Sequence, residues 1–150
     1  MTSNLSKPYL LDPSTPPGLI RYAHARTIQT GGYTTMYISG IASVTPEGNI
    51  EGLVTQDDGS ARPDIKAQTR AVLSRIEAII QGASDGKADM KNIVDATVYL
   101  LDMERDYKGF NEVWNGVYKS REEAPSRATI EVKGLPDKRL IVEVKAVAVF

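Results

Sequence analysis

Two stripes of apolar residues at helical spacing, with a β-branched run between them, constrain this chain more than any other feature. Ile65, Val72, Leu73, Ile76, Ile79 and Ile80 recur on one helix face. Tyr107, Phe110, Asn111, Val113, Trp114, Val117 and Tyr118 form the second stripe, and Ile93 to Leu101 between them reads as a strand. Asp64 is placed to cap the first helix, which is expected to run to about Gln81 and stop at Gly82. Upstream, Tyr22 to Gln29 and Tyr33 to Ser39 flank Thr30-Gly31-Gly32 as a hairpin, with Ser39-Gly40 ending its second strand. Downstream, Ser126 to Val132 and Leu140 to Phe150 are strands on either side of a turn from Lys133 to Arg139. The order is ββαβαββ, which predicts an α+β fold: a mostly antiparallel sheet with two helices on one face.

Pro8, Pro13, Pro16 and Pro17 make residues 1–18 an extended N-terminal arm, leaving 19–150 as a single domain. Thr45 to Pro63 is rich in Pro, Gly, Asn and Asp and reads as a long surface loop, a candidate lid.

Composition narrows the chemistry. Eighteen basic and nineteen acidic residues give a net charge of -1, so no global positive field draws in nucleic acid. Cysteine is absent, which removes disulfides, thiolate nucleophiles and sulfur-ligated zinc. No apolar run approaches the roughly 20 residues that span a bilayer, and the N-terminus lacks a secretory pattern. No membrane partner is expected, and the expected location is cytoplasmic, with a mitochondrial one left open.

On the strand from Ser126, alternation puts Arg127, Thr129 and Glu131 on one side and Ala128, Ile130 and Val132 on the other, expected to pack under the helices. If the last two strands form a regular hairpin centred on Leu135, Arg127 faces Glu143 and Thr129 faces Ile141. On pattern alone the plainer reading holds, a cross-strand ion pair worth at most about 1 kcal/mol. His24 is the only histidine, and nothing completes a catalytic triad around it. No dinucleotide, P-loop, zincin or calcium-loop motif occurs.

The run Pro125-Ser126-Arg127-Ala128-Thr129-Ile130-Glu131-Val132, then Gly134-Leu135-Pro136 and Val142-Glu143-Val144-Lys145-Ala146-Val147-Ala148, resembles the C-terminal signature of the Rid (YjgF) family. Agreement continues at Tyr22, Ser39-Gly40, Ala67-Gln68-Thr69-Arg70 and Phe110-Asn111-Glu112-Val113. The resemblance implies a chorismate-mutase-like fold, assembled as a homotrimer around a central barrel, with active sites between subunits. It implies an enamine/imine deaminase that needs neither metal nor organic cofactor. Arg127 is expected to bind a substrate carboxylate and Glu143 to hold or activate water, while Tyr22, Ser39, Gly40, Asn111 and Thr129 line the cleft.

This chain departs from the best-known members, which act on 2-imino acids. Ile20-Arg21 replaces the usual Gly-Pro, Ile41 stands where Gln often follows Ser-Gly, and the Thr45 to Pro63 loop is longer. With Tyr22-Ala23-His24 and the run from Asp64 to Val72, these features look more like the 2-aminomuconate deaminase branch. A dicarboxylate needs a second donor for its other anionic end, for which Arg21, His24 or a residue of the long loop is the candidate. The alternatives are a general 2-iminobutanoate/2-iminopropanoate deaminase, an endoribonuclease or translation inhibitor, and a non-catalytic ligand-binding trimer. The balanced charge and lone histidine weigh against RNA.

Overall fold

A computed structural model describes residues 5–12 and 22–150. Its backbone is dominated by a six-stranded sheet in the order β1-β2-β3-β8-β6-β7, built from β1 (Ser6–Tyr9), β2 (Ala25–Thr30), β3 (Tyr33–Ala42), β6 (Ile93–Leu100), β7 (Ser126–Glu131) and β8 (Val142–Val149).

 The only glycine and proline within that sheet, among the described residues, are Gly40 and Pro8. All its pairings are antiparallel except β6 with β7. α1 (Ile65–Ala83) and α2 (Met103–Val117) lie together on one face, and β4 (Leu53–Thr55) pairs with β5 (Ala61–Pro63) as a separate hairpin. The expected α+β architecture and the ββαβαββ order of β2, β3, α1, β6, α2, β7 and β8 are present.

Alternation along the strands explains where the core sits. Met36, Ile38 and Ile41 of β3, Ala96, Val98 and Leu100 of β6, and Val142, Val144, Ala146 and Ala148 of β8 are buried under the helices. They meet Val72, Leu73, Ile76, Ile79 and Ile80 of α1 and Phe110 and Trp114 of α2. Asp64 caps α1 as expected, its Oδ1 accepting from the Ala67 N–H at 2.7 Å. α1 does not stop at Gly82, however, but continues to Ala83, and the Tyr9 hydroxyl lies on Gly82, where a side chain would collide with it. α2 starts before its apolar stripe, at Met103, because Asp102 caps it by accepting from the Arg105 N–H at 2.9 Å.

Three further expectations change. β1 adds a paired edge strand within the arm, with Pro8 opposite Arg26; an edge tolerates a residue without an N–H. The expectations for 13–18 and for Leu19 to Arg21 lie outside the described residues. β3 does not end at Ser39-Gly40 but passes through them to Ala42, with these two residues opposite the single Lys145, a one-residue bulge between the Ile38–Ala146 and Ile41–Val144 pairs. Most consequentially, β7 and β8 are not a hairpin. β8 inserts between β3 and β6, while β7 reaches the outer edge of β6 through the α2 crossover and runs parallel to it.

Within the Thr45 to Pro63 loop, Val44 bridges Ile50 and the β4–β5 hairpin turns at Asp57 to Ser60. Gly52 has a φ of 72° and packs against the α1 backbone, where a Cβ would stand 2.6 Å from the Gln68 nitrogen. Both the left-handed backbone and the close approach require glycine. Gly52→Ala is expected to lower stability by about 1–3 kcal/mol, checked by urea unfolding against the unsubstituted protein.

Candidate functional site

The residues singled out in the sequence separate into two groups. Arg127, Asn111 and Thr129 form the first, at the β7 edge. Arg127 pairs along the sheet with Ala96 of β6, which pairs with Ala146 of β8, and both are buried on the helix-covered face. Arg127 therefore turns toward α2: its Nη2 donates to Asn111 Oδ1 at 2.8 Å, and its guanidinium carbon lies 4.8 Å from the Trp114 ring centroid and 5.3 Å from that of Phe110. The neighbouring Glu131 accepts from the Met103 N–H at the start of α2, at 2.7 Å. The side of β7 carrying Arg127, Thr129 and Glu131 thus faces the helices, and the Ala128 and Ile130 side is the open one, the reverse of the expected packing. At this edge the strand meets the Phe110 and Trp114 rings of α2 together with polar groups, Asn111 and the Met103 N–H, which suits a guanidinium and a carboxylate rather than Ala128 and Ile130.

The second group lies across the sheet. Glu143 pairs with Tyr99 and with Ala42, on the face away from the helices. Its carboxyl leans over Gly40, where a Cβ would overlap it. The bulge holds Ser39 beside the chain entering β2: Ser39 Oγ donates to the Ala23 carbonyl at 2.7 Å and its N–H to the His24 carbonyl at 2.9 Å. Tyr22 precedes these residues and is exposed.

Arg127 and Glu143 consequently stand on opposite faces, two strands apart, and the expected cross-strand ion pair does not form. The register through Leu135 fails because the Lys133 to Arg139 connection carries the chain across the end of β6 rather than folding it back beside β7. Val132 and Leu101 mark that crossing, bonded to Leu100 and Ile141.

With the pair removed, the electrostatics of each group stand out. Arg127 makes no ion pair among the described residues, and its Nη1 is buried without a hydrogen-bond partner. A cation in that position lacks the anion that normally compensates its desolvation. The Glu143 carboxyl likewise has no hydrogen bond or ion pair among the described residues, and burial pushes it above the usual glutamate value. The first group can receive an anion, and the second can take up a proton.

His24 is committed elsewhere. Its Nδ1 accepts from the Leu11 N–H at 2.9 Å, which leaves the ring neutral with its proton on Nε2. Burial, and then the nearby Arg75 charge, hold its pKa below the ordinary value, against the opposing pull of Asp12. The ring tethers the N-terminal segment, a partner that no local sequence pattern announces.

The sequence pattern described as Endoribonuclease L-PSP matches residues 15–150. The chain belongs to the endoribonuclease L-PSP family. A RutC family protein of Pyrococcus horikoshii is 32% identical over 126 residues, covering 83% of this chain and 85% of its own. A Salmonella typhimurium protein named 2-iminobutanoate/2-iminopropanoate deaminase is 29% identical over 117 residues, covering 75% and 86%. A Mycobacterium tuberculosis member of the YjgF/YER057c/UK114 family shares the fold, with a TM-score of 0.69 at 22% identity over 95% of this chain and 98% of that one. The family read from the C-terminal signature and the fold it implied therefore both hold for this endoribonuclease L-PSP family chain. Among its described residues, no helix is long and apolar enough to cross a membrane.

Proposed function

We propose that this protein is a hydrolytic deaminase of small enamine or imine carboxylates, with Arg127 as the carboxylate anchor. One observation carries the reading: a half-buried guanidinium stacked on Phe110 and Trp114, held by Asn111, with a buried Nη1 that no group among the described residues satisfies. A substrate carboxylate supplies the missing acceptor and the missing charge together. In the reaction, water adds to the imine carbon, and Glu143 takes its proton and passes it to the nitrogen; Glu143 then takes the proton of the new hydroxyl and passes it to the same nitrogen, so that the carbon–nitrogen bond breaks with ammonia leaving and a 2-oxo acid forming. An enamine enters the same path after protonation at its β-carbon.

The separation of the two groups supports an assembly in which each site draws Arg127 from one copy and Glu143 from another. The open sheet face has exposed Tyr33, Tyr37 and Ile130, at 70%, 48% and 45%, which suits burial against further copies. The proposed assembly is a closed homotrimer. Within this reading the finer proposal is an unsaturated amino dicarboxylate such as 2-aminomuconate. Its second carboxylate would fall to the Nε2–H of His24 or to Arg62 of β5, which makes no ion pair among the described residues; Arg21 lies outside them.

Subunit mixing tests the reading. Arg127→Ala and Glu143→Gln should each be inactive as pure assemblies, and co-refolding them in equal amounts should restore about a quarter of wild-type ammonia release, because one site in four then combines two intact halves. Absence of recovery in verified mixed assemblies, or a protein that stays monomeric in light scattering, contradicts a shared site.

A further inference from the structure

The Glu143 carboxyl has no side-chain or backbone partner among the described residues, so its place is set by the backbone that carries it. That backbone begins immediately after a segment that the side chain of α1's Gln68 ties down, beside the Leu101 N–H bond to the Ile141 carbonyl. Gln68 of α1 is fully buried, and its amide makes two hydrogen bonds to the approach to β8: Nε2 donates to the Arg139 carbonyl at 2.8 Å, and Oε1 accepts from the Ile141 N–H at 3.0 Å. A side-chain amide here replaces a neighbouring strand, supplying one donor and one acceptor where no strand is available. Ladder pairing of β8 starts only at Val142, opposite Leu100, and Glu143 follows.

We propose that Gln68 is a positioning residue for the reaction, its doubly bonded amide fixing the start of β8 and thereby the place of the Glu143 carboxyl over Gly40. The inference rests on the role given to Glu143 under Proposed function. Earlier in the approach the contacts are local: Asp137 and Arg139 pair with each other on the surface, and the Leu140 N–H donates to the Asp137 carbonyl, so that only Gln68 and the Leu101 N–H, which bonds the Ile141 carbonyl, tie the last residues before β8 to the rest of the fold by hydrogen bonds among the described residues. Gln68 is itself set from two sides, by its backbone N–H to the Asp64 carbonyl and by Gly52 packed against its Cγ. The sequence places this residue in the Ala67-Gln68-Thr69-Arg70 run, but only the fold brings it to the chain 71 residues later. The raised pKa of Glu143 agrees with a carboxyl held in a dry position by its strand rather than by a charge partner.

Gln68→Met removes both bonds at similar volume, and Gln68→Glu keeps an acceptor for Ile141 while losing the donor to Arg139. Both are assayed as the full chain on freshly generated 2-iminobutanoate, with folding followed by circular dichroism. A loosened carboxyl should lower kcat per folded protein by about tenfold to a hundredfold. KM should stay within about twofold, since the carboxylate anchor is elsewhere. The acidic limb of the rate should move to lower pH as water reaches Glu143. In a Glu143→Gln background the Gln68 substitution should have little further effect on kcat, the sign of two residues acting through one group. If Gln68→Met does not fold, the same criteria apply to Gln68→Glu. Wild-type kcat in the folded variant, or a loss that tracks only the folded fraction with an unmoved pH limb, overturns the positioning role alone. Wild-type kcat in Glu143→Gln overturns the functional reading and this inference with it.

Discussion

Arg127→Ala lowers kcat/KM for a 2-imino acid by about 30-fold to several thousand-fold, because leaving one partner of a buried charge pair unmatched costs about 2–5 kcal/mol and each 1.4 kcal/mol is about a decade. The fold should survive. The substitution forfeits the stacking of the guanidinium on Trp114 and Phe110, worth about 0.5–2 kcal/mol, but also removes a buried donor without a partner. These terms oppose each other, so the unfolding midpoint should move little. Arg127→Lys should recover only a small part of the activity, since an ammonium neither stacks as a plane nor grips a carboxylate with two parallel bonds. Steady-state kinetics with circular dichroism on the same preparations separate loss of anchoring from loss of fold. Wild-type kcat/KM in a folded Arg127→Ala protein would return Arg127 to a packing role under α2.

Glu143→Gln has a different signature. Removing the group that accepts a proton from water should lower kcat by about 10²–10⁴-fold. In the wild-type protein the basic form is lost as pH falls through a pKa that burial has raised, so the acidic limb of kcat should lie above the usual glutamate value of about 4.3. Stability moves oppositely. A carboxyl whose folded pKa exceeds its unfolded one opposes folding at higher pH and stops doing so as pH falls through the folded value. Glu143→Gln should therefore melt above wild type at alkaline pH, by a margin that shrinks as pH falls through the raised value and is gone below the usual glutamate value. A paired rate and melting series over that range checks both, and an unchanged kcat excludes the role of Glu143.

Much of the fold is legible in the sequence because its signals are local. The apolar stripes of α1 and α2, the Asp64 cap and the β-branched Ile93 to Leu100 strand each depend on residues a few positions apart. What is not legible depends on partners distant in sequence. The β7–β8 connection is short enough to suggest a hairpin, yet β8 lies between β3 and β6 and pairs with both. β1 is hidden by Pro8, which disfavours a central strand but not an edge.

The same distinction applies to the candidate site. Residue types and the family signature point to Arg127, Glu143, Ser39, Gly40 and Asn111, but pattern alone makes the first two a surface pair. Only the strand order shows Arg127 with no anion and Glu143 on the other face. The tether from His24 to Leu11, the bulge at Ser39-Gly40 and the Gln68 amide all join segments that the sequence leaves unrelated.

Ammonia release from freshly generated substrates tests the central claim most directly. The panel comprises 2-iminobutanoate, 2-aminomuconate and the carboxamide of 2-iminobutanoate, each corrected for spontaneous hydrolysis. The account predicts acceleration of the two acids, loss of that acceleration in Arg127→Ala, and little acceleration of the carboxamide, which has no charge to meet the guanidinium. A preference for 2-aminomuconate of about tenfold or more would support a second cation in the site. Equal acceleration of acid and carboxamide, or none above the spontaneous rate for any substrate, would contradict the account.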